Sequence, residues 1–177
     1  MMGWHAMIWG ALALLIGAPA AAQTAAASAP AISRAADEAA IIAVLRDVYA
    51  IISGPAGQAR DAARMRTMFA PNARLTALGA KGLNSYTVEE FIEKAVPYQT
   101  RIGFHERELA HRVELYGDIA HAWSSYHGTG QDGANKVDVR GINSFQLVRQ
   151  NGRWTVQSIF WQAEGPGRPL PADMTGR

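Results

Sequence analysis

Apolar residues recur every three or four positions in the first half of the chain and every second position in its last third. That change of period predicts an α+β domain, with helices first and strands afterwards. Ile41, Val44, Leu45, Val48, Tyr49 and Ile52 share one face of a helix expected over about residues 33–52, with Arg46 and Asp47 off that face. Gly54-Pro55 ends it. A shorter helix is expected over residues 61–69, with Asp61 as its N-cap and Met65, Met68 and Phe69 on its buried side. Pro71-Asn72 then turns the chain into a short strand at about 74–78, and a glycine-containing loop follows. Thr87 and Glu90 have capping-box spacing ahead of Phe91, Ile92, Ala95 and Val96, which predicts a third helix.

From Phe104 the period becomes two, and four strands are expected over about 104–116, 119–127, 136–149 and 153–163. Gly117-Asp118, residues 128–135 and Asn151-Gly152 connect them, and the Asn-Gly pair is the strongest hairpin signal in the chain. Pairing Tyr116 with Ile119, His127 with Lys136 and Gln150 with Arg153 chains the registers together. One face then carries His105, Arg107, His111, Ser124, Tyr126, Asn143, Phe145, Trp154, Val156 and Phe160. It is the more apolar face, so it is expected inward, against the helices. Ala122 falls opposite Gly141 and Ala120 opposite Asn143, small pairs that leave room for packing or a cavity. Tyr126 and Asn143 sit toward opposite ends of their strands. The other face takes Glu106, Glu108, Arg112, Arg140 and an apolar group of Ile119, Trp123, Ile142, Ile159 and Trp161. Grouped apolar side chains on an outer face predict a covered surface, here a homodimer. A single bulge would flip every residue beyond it.

The termini read differently from the middle. Residues 1–22 combine an apolar run, Ala6 to Gly17, with a small-residue site at Ala20-Ala21-Ala22. This predicts an export signal cut after Ala22, with a retained anchor as the alternative, and a periplasmic or secreted location. Residues 23–34 are expected to be a disordered spacer, 35–163 the domain, and 164–177 a flexible, proline-bearing tail. Composition adds limits. With 49% hydrophobic residues the chain has ample material for a core. A formal charge of +2 without a basic stripe argues against nucleic acid. The absence of cysteine removes disulfides and thiolate metal sites.

Several stretches carry a resemblance. Met68-Phe-Ala-Pro-Asn-Ala-Arg-Leu75, Gly117-Asp-Ile-Ala120, Gly141-Ile-Asn-Ser-Phe-Gln-Leu-Val148 and Asn151-Gly-Arg-Trp-Thr-Val156, with Trp161, resemble the nuclear transport factor 2-like (NTF2-like, SnoaL-like) family over about residues 35–163. The resemblance implies three N-terminal helices packed on a strongly curved antiparallel sheet, forming a cone. It does not imply one chemistry, because this fold hosts isomerases, cyclases, dehydratases and non-catalytic binders. In the family's steroid isomerases, a Tyr and an acid hold an oxyanion and a carboxylate acts as base. Tyr49 matches the first position, Asn143 the second, and Ala77 stands near the base, where it accepts no proton.

The candidate ligand pocket is therefore Tyr49, His105, His111, Ser124, Tyr126, Asn143 and Phe160. Each polar member alone is better explained as a satisfied core hydrogen-bonder. Together, on an inner face, they predict a site for a small, mostly apolar molecule. His111 offers acid–base chemistry near neutrality. The histidines at 105, 111, 121 and 127 split between faces and lack helical i, i+4 spacing, so no metal is expected, and no cofactor. Two functions stay open: binding with general acid–base chemistry, or a non-catalytic dimeric interaction module.

Overall fold

The computed structural model describes residues 31–176. The expected export signal and most of the expected spacer lie outside them. Helix α1 (Ala31–Ile52) buries Ile41, Leu45, Val48 and Tyr49, the stripe that its periodicity marks, with Ile51 beside them. Asp61 caps α2 (Ala62–Met68) by accepting from the Arg64 amide at 2.9 Å, and Met65 is its buried residue. Thr87 and Glu90 form the reciprocal capping box of α3 (Val88–Lys94), at 2.8 and 3.1 Å. The expected single third helix is two in tandem, because Pro97 lacks an amide donor and sits in the first turn of α4 (Val96–Ile102).

The strands are β1 (Phe69–Gly79), β2 (Gly82–Tyr86), β3 (His105–Tyr116), β4 (Ile119–Asp132), β5 (Asn135–Gln150) and β6 (Arg153–Ala163). They form one sheet in the order β2-β1-β6-β5-β4-β3. Two features correct the expectation. The sheet is mixed rather than antiparallel, since β1 runs parallel to β6. The expected loop after β1 contains β2, a short and mostly exposed edge strand.

The end hairpins pair as expected, Tyr116 with Ile119 and Gln150 with Arg153. The middle one does not. His127 pairs with Arg140, four residues from the expected partner, because β4 runs five residues further, to Asp132, and β5 begins one residue earlier, at Asn135. An even slip keeps the faces and changes the partners. Ala122 now meets Phe145, Ser124 meets Asn143, and Tyr126 meets Gly141. Gly141 leaves room for the Tyr126 side chain. A Cβ there would collide with the Gln162 carbonyl and lie 2.6 Å from the Tyr126 hydroxyl. Gly141→Ala is therefore expected to lower stability by about 1–3 kcal/mol. An unchanged urea midpoint would refute the close approach of Tyr126.

Two bulges decide which side chains face inward. Leu109 has no partner between the pairs Glu108–Tyr126 and Ala110–Ser125. Ser125, fully buried, satisfies the interrupted ladder by binding the Ala110 amide at 3.1 Å and carbonyl at 3.2 Å. Before this bulge the faces are exchanged. Glu106 and Glu108 share the inner side with Tyr126, while His105 and Arg107 are exposed. Gln157 is the second unpaired residue. Beyond it Ile159 and Trp161 turn inward, and Phe160 turns outward with 44% of its surface exposed. Phe160, not Ile159 or Trp161, therefore joins Trp123 and Ile142 on the outer face, and Ile119 stays exposed at its end.

The tail expected to be flexible folds back. Leu170 is buried and donates its amide to Glu164 at 3.0 Å. It lines a shallow outer groove with Trp123, Ile142 and Phe160. Met174, in a short 3-10 turn (Ala172–Met174), is fully buried. Apolar burial outweighs the proline content of this segment.

Candidate functional site

Between the helices and the inner face lies a cavity of about 330 Å³. Its wall is mostly hydrocarbon from α1, β1, α3, β5 and β6, including Ile51, Leu75, Phe91, Phe145, Ile159 and Trp161. Four polar side chains enter it: Gln99 from α4, Glu106 from β3, Tyr126 from β4 and Asn143 from β5. Such a site, apolar with a few convergent polar groups, is what a small-molecule pocket requires.

Glu106 is held in place by its backbone. Its amide donates to the Ser53 hydroxyl at 2.8 Å, at the end of α1. That hydroxyl is also within 2.6 Å of the Tyr49 carbonyl. The Gly54 amide donates to the Phe104 carbonyl at 2.9 Å, so the end of α1 is tied to the start of β3 at two adjacent points.

The hydrogens of the polar network can be assigned in order. Ser124 donates to Glu108 Oε1 at 2.6 Å, and Glu108 Oε2 pairs with His111 Nδ1 at 3.0 Å. Ser124 has one hydroxyl hydrogen, so at their 2.6 Å contact Tyr49 donates to it. Tyr49 Oη in turn accepts from Asn143 Nδ2 at 3.1 Å. The same amide nitrogen donates to Glu106 Oε1 at 3.2 Å. Both hydrogens of the Asn143 amide and that of Tyr49 are thus committed within the protein. Neither group is free to serve as the oxyanion donor that the isomerase resemblance implies. Glu106 Oε2 and the Tyr126 hydroxyl take part in none of the hydrogen bonds among the described residues, and both side chains line the cavity.

Burial pushes the Glu106 carboxyl up to about 7, against the Asn143 hydrogen bond, which pulls it down. Burial, and secondarily the charge of Glu106, raises the Tyr126 phenol well above its ordinary value, so it stays a donor. Tyr49 is raised by burial as well.

The expected pocket residues separate into three groups. Tyr126 and Asn143 line the cavity together, because the longer β4–β5 hairpin brings them within two residues of one another along the ladder. Tyr49 and Ser124 are buried behind it and support Asn143. His105, His111 and Phe160 do not line it. His105 faces a groove between α1 and β3, His111 holds Glu108, and Phe160 is outside. Glu106, Glu108 and Gln99 were not among the expected site residues. Ala77 lines the cavity, and the one carboxyl that also lines it is that of Glu106 on β3. The apolar triplet Ile159-Phe160-Trp161 is the one local sign of ambiguous strand parity in β6. Nothing comparable in the sequence marks the bulge at Leu109.

No protein-family model matches the sequence, and neither does any curated protein. Solved structures do. An NTF2-like protein of unknown function from Shewanella baltica is 18% identical, with a TM-score of 0.55 over 78% of this chain and 99% of that one. LinA is 16% identical, with a TM-score of 0.63 over 80% and 94%. A protein of unknown function from Mycobacterium tuberculosis is 15% identical, with a TM-score of 0.64 over 84% and 88%. The helices, the mixed six-stranded sheet and these likenesses define the class: the chain has the NTF2-like (SnoaL-like) fold. At such identities the likeness establishes the fold and leaves the chemistry to the cavity.

Proposed function

We propose that the protein binds a small, mostly apolar molecule in the cavity and moves a proton on it, with Glu106 as general base and Tyr126 as hydrogen-bond donor. The carrying observation is Glu106 itself: a carboxyl in a hydrocarbon-walled cavity, with Oε1 fixed by Asn143 and Oε2 unoccupied. A carboxyl that titrates near 7 is matched to proton transfer at neutral pH. In the step, the Glu106 carboxylate takes a proton from the bound molecule and becomes the carboxylic acid. The electron pair left behind moves onto an oxygen of the molecule, where the Tyr126 hydroxyl donates to it. Return of the proton from Glu106 to another atom restores the carboxylate.

The test uses 2-tetralone, a small apolar ketone with exchangeable α-hydrogens, in D₂O with NMR detection. Exchange above the buffer rate is expected, and Glu106→Gln should reduce it by about 10²–10⁴-fold. Equal rates for the two proteins would sink the base assignment. Binding without exchange would favour a non-catalytic binding module.

A further inference from the structure

Gln99 Oε1 is a buried side-chain acceptor with no hydrogen-bond partner, and among the described residues it is alone in this. Its side chain lines the cavity. The backbone around it is fully engaged: the Gln99 amide donates to the Ala95 carbonyl at 3.1 Å, and its carbonyl accepts from the Phe104 amide at 2.9 Å. The residue is therefore firmly placed, and only the end of its side chain lacks a partner. Orphaned buried acceptors are rare, and leaving one unpaired costs about 1–3 kcal/mol.

The rest of the wall narrows what could pair with it. Among the described residues no Arg, Lys or His lines the cavity, and the one carboxyl that does is Glu106. An anionic ligand would meet no counter-charge there and would face a carboxylate. The Tyr126 hydroxyl supplies a donor, and Gln99 supplies an acceptor from a different element of the fold. The cavity thus combines an apolar interior with one donor, the Tyr126 hydroxyl, and two acceptor oxygens that take no hydrogen bond among the described residues, Gln99 Oε1 and Glu106 Oε2, of which only Gln99 Oε1 is fully buried.

We infer that the molecule bound in this cavity is neutral, compact and mostly apolar and carries a hydroxyl that donates to Gln99 Oε1. Gln99 is then the specificity-determining residue of the site. This rests on the proposed occupancy of the cavity and adds the ligand's chemical class. A site built around an acceptor rejects the analogue that lacks the donor, because the acceptor is then left unpaired.

The test measures equilibrium dialysis of 2-naphthol and of 2-methylnaphthalene, in which a methyl group replaces the hydroxyl, at pH 6. The quantity read is the affinity ratio of the two probes in wild type, Gln99→Met and Glu106→Gln. Gln99→Met is expected to cut the preference for 2-naphthol by about tenfold, as a cycle isolating one hydrogen bond. An unchanged ratio in Gln99→Met overturns the inference, and so does a ratio that collapses in Glu106→Gln alone, which would make Glu106 the partner. Failure of both probes to bind the wild type refutes occupancy of the cavity itself, a distinct result. Without ligand, Gln99→Met should melt no lower than wild type. A lower melting temperature would mean that the amide has a partner in the empty protein, and would overturn the premise.

Discussion

Glu106→Gln is expected to raise the melting temperature at pH 8 by about 5–10 °C while leaving it nearly unchanged at pH 4. The reason is the position of the carboxyl. In the folded protein burial keeps it protonated up to about 7, from an ordinary value of 4.5. In the unfolded chain it ionises near that ordinary value. Between those pH values the folded state binds more protons than the unfolded one, so stability falls as pH rises through the window. The loss amounts to about 2–3 kcal/mol above pH 7 and is absent below about 4.5. Gln removes the ionisation and keeps an acceptor for Asn143 Nδ2, so the penalty disappears with little else changed. Thermal melts at half-unit steps from pH 4 to pH 8.5 check this. A constant difference between the two proteins would show that Glu106 is not desolvated, and with that the general-base assignment would lose its basis.

Phe145→Ala should be the most damaging single truncation, at about 3–5 kcal/mol. Phe145 has no exposed surface and is the largest of the fully buried side chains. Its ring meets that of Tyr49 edge-on, with centroids 6.3 Å apart and planes at 71°. It also forms part of the cavity wall, so its loss enlarges the cavity while loosening the residue that supports Asn143. Urea unfolding measures the effect. A loss below about 1.5 kcal/mol would show that the site collapses around the gap and that Tyr49 does not depend on the ring.

The helices were legible because each is specified locally. The stripe from Ile41 to Ile52, the Asp61 cap and the Thr87–Glu90 capping box require nothing beyond neighbours within a few positions. The outer hairpins were legible for the same reason, since Gly117-Asp118 and Asn151-Gly152 fix register through turn chemistry. The β4–β5 connection was not. Gly128 and Gly130 suggest a loop, yet both lie within β4, where a Cβ would come within 2.7 Å of Phe104 and 3.0 Å of Ile102. These glycines are there for close packing, and only the helix they accommodate reveals it. The parallel pairing of β1 with β6 joins segments far apart in sequence and leaves no local trace.

The site was half legible for a related reason. Tyr49, Ser124, Tyr126 and Asn143 lie on elements whose faces follow from local periodicity, and the structure brings them together. Alternation alone places Glu106 and Glu108 on the outer face, where a carboxylate looks like a solvated one. Their burial depends on an unpaired residue several positions away, and their cost is offset by Asn143 and Ser124 on other strands. The unpaired Gln157 likewise exchanges the faces of Ile159, Phe160 and Trp161 relative to simple alternation.

The bulge at Leu109 has a consequence for how such a cavity changes its chemistry. The first part of β3 carries two ribbons of side chains, acidic at Glu106 and Glu108, basic at His105 and Arg107. Paired with β4 without a bulge, the strand would present the basic ribbon to the interior. With Leu109 set aside it presents the acidic one. The polarity of the interior is thus chosen by strand alignment rather than by residue identity, and a lineage could reverse it by gaining or losing a single unpaired position without altering any of the four charged side chains.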